Sequence, residues 1–167
     1  HLAVGADRID AHQVAAVGSA EEVLPGLVRR DVGEAFGERA GGEGPGERPA
    51  RDAASPPWES IRALAFEATS LGPSSPVGYV FASPLVPVLR PVSAYAAESF
   101  PPGAAILTGA VDLMHRIRTE FRYDPKATVI STPLNEVFDK RHGVCQDFAH
   151  VMIAGLRGLG LPAAYVS

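Results

Sequence analysis

One stretch of this chain cannot contribute to a core, and it confines where a fold can form. Gly37 to Asp52 reads GERAGGEGPGERPARD and carries no hydrophobic side chain of core size. Fixing a residue's backbone costs roughly 1–2 kcal/mol, and this stretch has no burial to offset that. It is expected to be loop or disorder. Charge divides near the same place. Residues 1–57 hold six arginines against ten Asp and Glu, whereas residues 58–167 hold nine basic and nine acidic residues. The net charge of −4 therefore belongs to the first third of the 167 residues. Residues 1–36 show no clear alternation for strands, and Ala20 to Val28 reads at most as a short helix interrupted by Pro25-Gly26. The expectation is a divergent or disordered segment over 1–54 and a folded portion over 55–167.

Composition narrows the classes. Apolar residues make up 46% and charged residues 20%, the ordinary globular range. A negative net charge argues against a protein that neutralises nucleic-acid phosphates. No run of apolar residues is long enough for a membrane span, so no membrane partner is expected. A single cysteine, Cys145, excludes an internal disulfide and a Cys-rich zinc site. The histidines offer no pair spaced as metal ligands on a helix, so no metal is expected. An unpaired cysteine and no visible signal peptide make the cytoplasm the expected compartment. The chain opens on His1 and closes on Ala163-Ala164-Tyr165-Val166-Ser167, which reads as a strand cut mid-sheet. The expectation is a piece of a longer protein.

After residue 54 the pattern is helical. Ser55-Pro56 reads as an N-cap and first turn, with Trp58, Ile61, Leu64, Ala65, Ala68 and Leu71 as one face and Gly72-Pro73 as the stop. Tyr79 to Leu89 is broken by Pro84 and Pro87 into short turns and extended chain. Val92 to Phe100 reads as a short helix. Ala104 to Tyr123 is the strongest helix, with the stripe Ile106, Ala110, Met114, Ile117 and Phe121. Thr132-Pro133 opens a helix that buries Leu134, Val137 and Phe138; Lys140 and Arg141 suit its last turn, and Gly143 its left-handed cap. The last helix runs from about Cys145 to Leu159 on the stripe Ala149, Met152, Ile153, Leu156 and Leu159, and Gly160 and Pro162 end it.

The chemistry gathers at Cys145. In His142-Gly143-Val144-Cys145-Gln146-Asp147-Phe148-Ala149-His150, a tight turn delivers the thiol to the first turn of a helix. Unpaired N–H groups there carry partial positive charge, which favours a nucleophilic sulfur and can stabilise an oxyanion. Such a thiol needs a histidine base and a group to orient it. His150 lies about 140° around the helix from Cys145 at 100° per residue and points away. His142 lies in the turn and reads as a solvated cation closing the preceding helix, with reach to the sulfur region as the alternative, and His115 reads as a solvated surface group. His1 and His12 fall in the segment without a pattern. Asp147 reads as a first-turn residue that caps a neighbouring N–H or pairs with Arg141. Gln146 reads as an exposed first-turn residue or an oxyanion donor.

Ser131 to Ser167, STPLNEVFDKRHGVCQDFAHVMIAGLRGLGLPAAYVS, resembles the core of the bacterial transglutaminase-like superfamily. The likeness joins a Thr-Pro-Leu helix, an Arg-x-Gly-Val-Cys-x-Asp-Phe-Ala turn and a Leu-Arg-x-Leu-Gly-Leu-Pro-Ala end. Asp112 to Thr128 with Phe121-x-Tyr123-Asp124-Pro125, Ser83-Pro84-Leu85-Val86 and, more weakly, Pro57-Trp58-Glu59 extend it over 57–167.

The resemblance implies an α+β fold: the helical half of a papain-like domain, its Cys helix packed on an incomplete antiparallel sheet. It implies a thiol acyltransferase or cysteine protease in which Cys145 attacks an amide carbonyl, with Gln146 and Asp147 as oxyanion or first-turn support. The substrate would be a protein or peptide, and no cofactor is implied. The family's catalytic His and Asp would follow Ser167, so this chain alone should be nearly silent. Alternatives are a non-catalytic scaffold or interaction module, and a related amidase or acetylating branch. With so little sheet, the Cys helix should expose an apolar patch. Ala164 stands where the family usually has Arg, which leaves the anchoring of that strand open.

Overall fold

The computed structural model describes residues 16–17, 55–67, 75–129 and 131–165. The readings of Gly37–Asp52, His1, His12, Ala68, Leu71 and the Gly72-Pro73 stop lie outside the described residues. Five α-helices carry the architecture: α1 Trp58–Phe66, α2 Arg90–Ala97, α3 Ile106–Glu120, α4 Leu134–Lys140 and α5 Cys145–Gly158. A short 3₁₀ turn spans Pro76–Tyr79. The strands are two residues each: β1 Ala16–Val17, β2 Arg122–Tyr123, β3 His142–Gly143 and β4 Ala163–Ala164. Helices with little sheet are compatible with the α+β class.

Among the described residues the strands form only two two-residue ladders, and the expected antiparallel sheet behind the Cys helix is not shown. The pair that leads into α5 is β2 with β3, and it is parallel. β4 pairs antiparallel with β1, from a region where the sequence offered no strand pattern. Each ladder is two residues long, so helix packing carries the fold.

Helix α5 is the centre of the core. Phe148, Ala149 and every residue from Val151 to Leu156 are buried. Of the largest fully buried side chains, Ile153 and Leu156 lie on α5, Leu161 follows it and Leu113 faces it from α3. Full burial of such a side chain is worth about 1.5–3 kcal/mol, so α5 and its neighbours dominate cohesion. The expected apolar patch on this helix is thus absent: α2, α3 and α4 cover it. A helix apolar on more than one face is what such wrapping requires.

The ends of α5 follow backbone chemistry. Gly160 is left-handed at φ 79°. Its N–H donates to Arg157 O (2.9 Å) and Leu161 N–H donates to Leu156 O (2.9 Å), so the last carbonyls are satisfied in a Schellman pattern. Arg157 then bends back, its guanidinium donating to Ala163 O at 2.8 and 2.9 Å and to Phe81 O at 2.9 Å. That side chain anchors β4, where the sequence left anchoring open.

Three local caps differ from expectation. Helix α1 starts at Trp58, and Ser55 instead serves α3: its buried Oγ accepts the Leu107 N–H at 3.1 Å. Thr132 does not cap α4; its Oγ1 accepts the Val129 N–H at 2.9 Å. The left-handed residue after α4 is Arg141 (φ 53°, ψ 37°), not Gly143. In α3 the stripe holds, with Ile106, Ala110 and Ile117 buried; Leu107 and Leu113 widen it, and the helix stops before Phe121, which turns extended.

Candidate active site

The turn that presents Cys145 is held on both sides. Arg141 N–H closes α4 on Val137 O at 3.0 Å, and its carbonyl accepts the Arg122 N–H at 2.8 Å. The Asp124 N–H donates to Gly143 O at 2.9 Å. Val144 is the N-cap residue of α5 and Cys145 its first helical residue. The first intrahelical bond runs from Phe148 N–H to Val144 O (3.1 Å), so the N–H groups of Cys145, Gln146 and Asp147 have no intrahelical carbonyl.

Arg141 pays for its left-handed backbone with its side chain. A non-glycine residue there costs about 1–2 kcal/mol. Its guanidinium lies over the rings of Phe138 (4.3 Å), Tyr95 (4.6 Å) and Phe121 (4.7 Å) and pairs with Glu120 at 3.4 Å. Cation–π contacts contribute about 0.5–1 kcal/mol each at exposed sites and about 2 kcal/mol where desolvated. Arg116 covers the Tyr95 ring at 4.1 Å. Burial first, and the Glu120 carboxylate second, push the Tyr95 phenol up to about 12. Among the described residues the Tyr95 hydroxyl has no hydrogen-bond partner of good geometry, so Glu120 acts on it chiefly through charge.

Asp147 is buried and does not pair with Arg141. Its Oδ2 accepts from Val144 N–H at 2.8 Å and from Thr128 Oγ1 at 2.6 Å. The capping part of the expectation describes what it does. Gly143 is needed for closeness rather than for its φ: a Cβ there would lie 2.6 Å from Asp147 Oδ2 and 3.0 Å from Asp147 Cβ.

Cys145 is half-buried, and among the described residues its sulfur has no hydrogen-bond partner. Gln146 is half-buried rather than exposed, and its side chain bonds no described group. His142 is half-buried within β3, not a solvated cap. His115 is exposed. His150 packs edge-on against Tyr165 with ring centroids 5.9 Å apart. The structure therefore brings Cys145, Asp147 and Thr128 to one turn and joins no described histidine to the sulfur. Sequence reasoning missed Thr128 and the cage of Tyr95, Phe121 and Phe138; Thr128 meets Asp147 19 positions on, and Tyr95 and Phe121 come to Arg141 from other helices. Among the described residues no cluster of His, Cys, Asp and Glu could hold a metal, and no helix is long and apolar enough to cross a membrane.

Burial is the largest influence on His150 and lowers its pKa below 6.5; the Asp147 charge opposes this and Arg157 reinforces it. Well above 6.5 the ring is neutral in both folded and unfolded chains, so it contributes nothing to the pH dependence there. As pH falls through that value the unfolded chain takes up the proton first, and stability drops until the folded ring also titrates. His150→Gln removes this component. Its melting temperature is expected to fall less than the parent's between about pH 7 and about pH 5, as followed by circular dichroism.

Residues 94–167 match the family model described as transglutaminase-like superfamily. Uncharacterized proteins of Mycobacterium tuberculosis and Mycobacterium bovis are each 51% identical over 76 residues, which is 46% of this chain and 24% of the relative. The matched part thus spans about a quarter of the length of these curated relatives. No solved structure matches the chain at a significant level. The matched segment contains α3, the parallel β2–β3 pair, α4 and the whole of the Cys145 helix. The match supports a transglutaminase-like superfamily assignment for residues 94–167.

Proposed function

We propose that this chain carries the nucleophile-bearing part of a thiol acyltransferase or cysteine peptidase acting on amide bonds of a protein or peptide. The observation that carries the reading is Cys145 at the first position of α5, on a turn fixed by β3 and by Asp147, beside first-turn N–H groups free of intrahelical partners. A thiolate here attacks the amide carbonyl carbon, and the carbonyl π electrons move to oxygen. The oxyanion meets the Cys145 N–H, a donor fixed before reaction begins. Collapse re-forms the carbonyl, breaks the C–N bond and leaves a thioester; the departing nitrogen takes a proton. An amine acceptor gives transamidation and water gives hydrolysis. No described group bonds the sulfur, and this reading takes the proton carrier and its orienting acid from outside the described residues. A reducing, cytoplasmic setting keeps such a thiol free.

The test is to trap the acyl-enzyme. The intact protein is incubated with an activated ester or a glutamine-containing peptide, and intact mass is followed before and after hydroxylamine. A hydroxylamine-labile adduct on Cys145 is expected, with iodoacetamide labelling faster than a free-peptide thiol. No adduct, together with labelling at the free-peptide rate, favours the scaffold reading instead.

A further inference from the structure

The loop between β2 and α4 braces the thiol turn from outside. It is closed by its own bonds, with Lys126 N–H on Asp124 Oδ1 (3.0 Å) and Ala127 N–H on Asp124 O (3.2 Å). From this closed loop two donors reach the turn. The Asp124 N–H donates to Gly143 O at 2.9 Å, and Thr128 Oγ1 donates to Asp147 Oδ2 at 2.6 Å. The same Oδ2 accepts the Val144 N–H at 2.8 Å. One carboxylate oxygen therefore ties the loop to the residue directly before Cys145.

Val144 is held at both ends. Asp147 holds its N–H, and the Phe148 N–H holds its carbonyl at 3.1 Å. That carbonyl shares a planar peptide with the Cys145 N–H, so fixing one fixes the direction of the other. The carboxylate has little freedom of its own, since its Oδ2 lies against Gly143 where no Cβ would fit. Thr128 supplies the remaining bond that selects this rotamer. A cap alone would need only the bond from Asp147 to Val144. The second bond, from a separate loop, constrains orientation.

We propose that Thr128 and Asp147 are positioning residues that aim the Cys145 thiol and its N–H. This rests on Cys145 being the nucleophile. Neither residue touches the reacting atoms; both act through Val144. A small misalignment at a reacting centre is costly because the reaction depends on a narrow range of approach.

Thr128→Val removes the hydroxyl at nearly constant shape, and Thr128→Ser keeps it. In the intact protein, Thr128→Val is expected to lower kcat about tenfold with KM within about twofold of the parent. Amide hydrogen exchange at Val144 is expected to accelerate in the same variant, and Thr128→Ser to restore both readouts. Asp147→Ala removes both bonds and is expected to lower kcat about a hundredfold. A Thr128→Val protein with a lower melting temperature but parental kcat and parental Val144 exchange overturns the proposal, because a merely structural bond behaves that way. Faster Val144 exchange with turnover that survives Cys145→Ala overturns the nucleophile on which the proposal rests, and leaves the brace as a cap.

Discussion

Cys145→Ala is expected to lower kcat of the intact protein by about a thousandfold or more, and to leave its melting temperature within about 3 °C of the parent. The two halves of this expectation have different causes. The sulfur is the atom that forms the thioester, so its loss removes a covalent step, and what remains is binding and the first-turn N–H groups. Stability depends on other atoms. Cys145 is half-buried, its sulfur bonds no described group, and the turn is held by backbone bonds of Arg141 and Gly143 and by Asp147. None of these involves the sulfur. Cys145→Ser serves as a second arm, since a hydroxyl in place of the thiol keeps the shape and is a far weaker nucleophile without an adapted base. Amine incorporation and peptide hydrolysis, measured beside calorimetry, separate the effects. Turnover that persists in Cys145→Ala assigns the chemistry to another group.

The helices that build this turn were legible because their signals are local. The four-, four-, three- and four-residue steps of the α3 stripe, and the Gly-Val-Cys-Gln-Asp start of α5, need no knowledge of distant residues. What escaped the sequence is non-local. Ser55 followed by proline has the pattern of a cap for its own helix, yet its hydroxyl serves Leu107, 52 positions on, because α1 and the start of α3 lie side by side. Gly143 looked like the left-handed residue, but the aromatic cage lets Arg141 take that conformation, and Gly143 is needed for the approach of Asp147. The cage joins rings from α2, α4 and the end of α3, and no spacing along the chain encodes it. The parallel pair of β2 and β3 is too short for alternation to register.

The crossing of α2 and α5 predicts the largest loss of stability. These helices approach where side chains are smallest: a Cβ on Gly155 would lie 2.7 Å from Ala96 Cβ and 3.9 Å from Leu113 Cδ2. One turn on, a Cβ on Gly158 would lie 2.6 Å from Ser93 Cβ. Glycine inside a helix costs about 1 kcal/mol relative to alanine, so two glycines in the last turns of α5 are retained against propensity. Ala96 cannot yield, because its methyl is fixed to the backbone of α2 and is fully buried. Gly155→Val therefore forces the helices apart where Leu156, Ile153 and Val92 are sealed from water. The expected cost is about 3 kcal/mol or more, roughly a 10 °C fall in melting temperature for a domain of this size. Gly155→Ala is expected to cost less, since its gain in helix propensity offsets part of the clash. Ala96→Gly combined with Gly155→Ala moves the one methyl to the opposite helix and is expected to recover most of what Gly155→Ala loses, short of the propensity cost of glycine in α2. Thermal unfolding of Gly155→Ala, Ala96→Gly and the double variant beside the parent measures the coupling between positions 96 and 155. A Gly155→Val protein that melts with the parent would mean that α2 and α5 do not meet through these small residues.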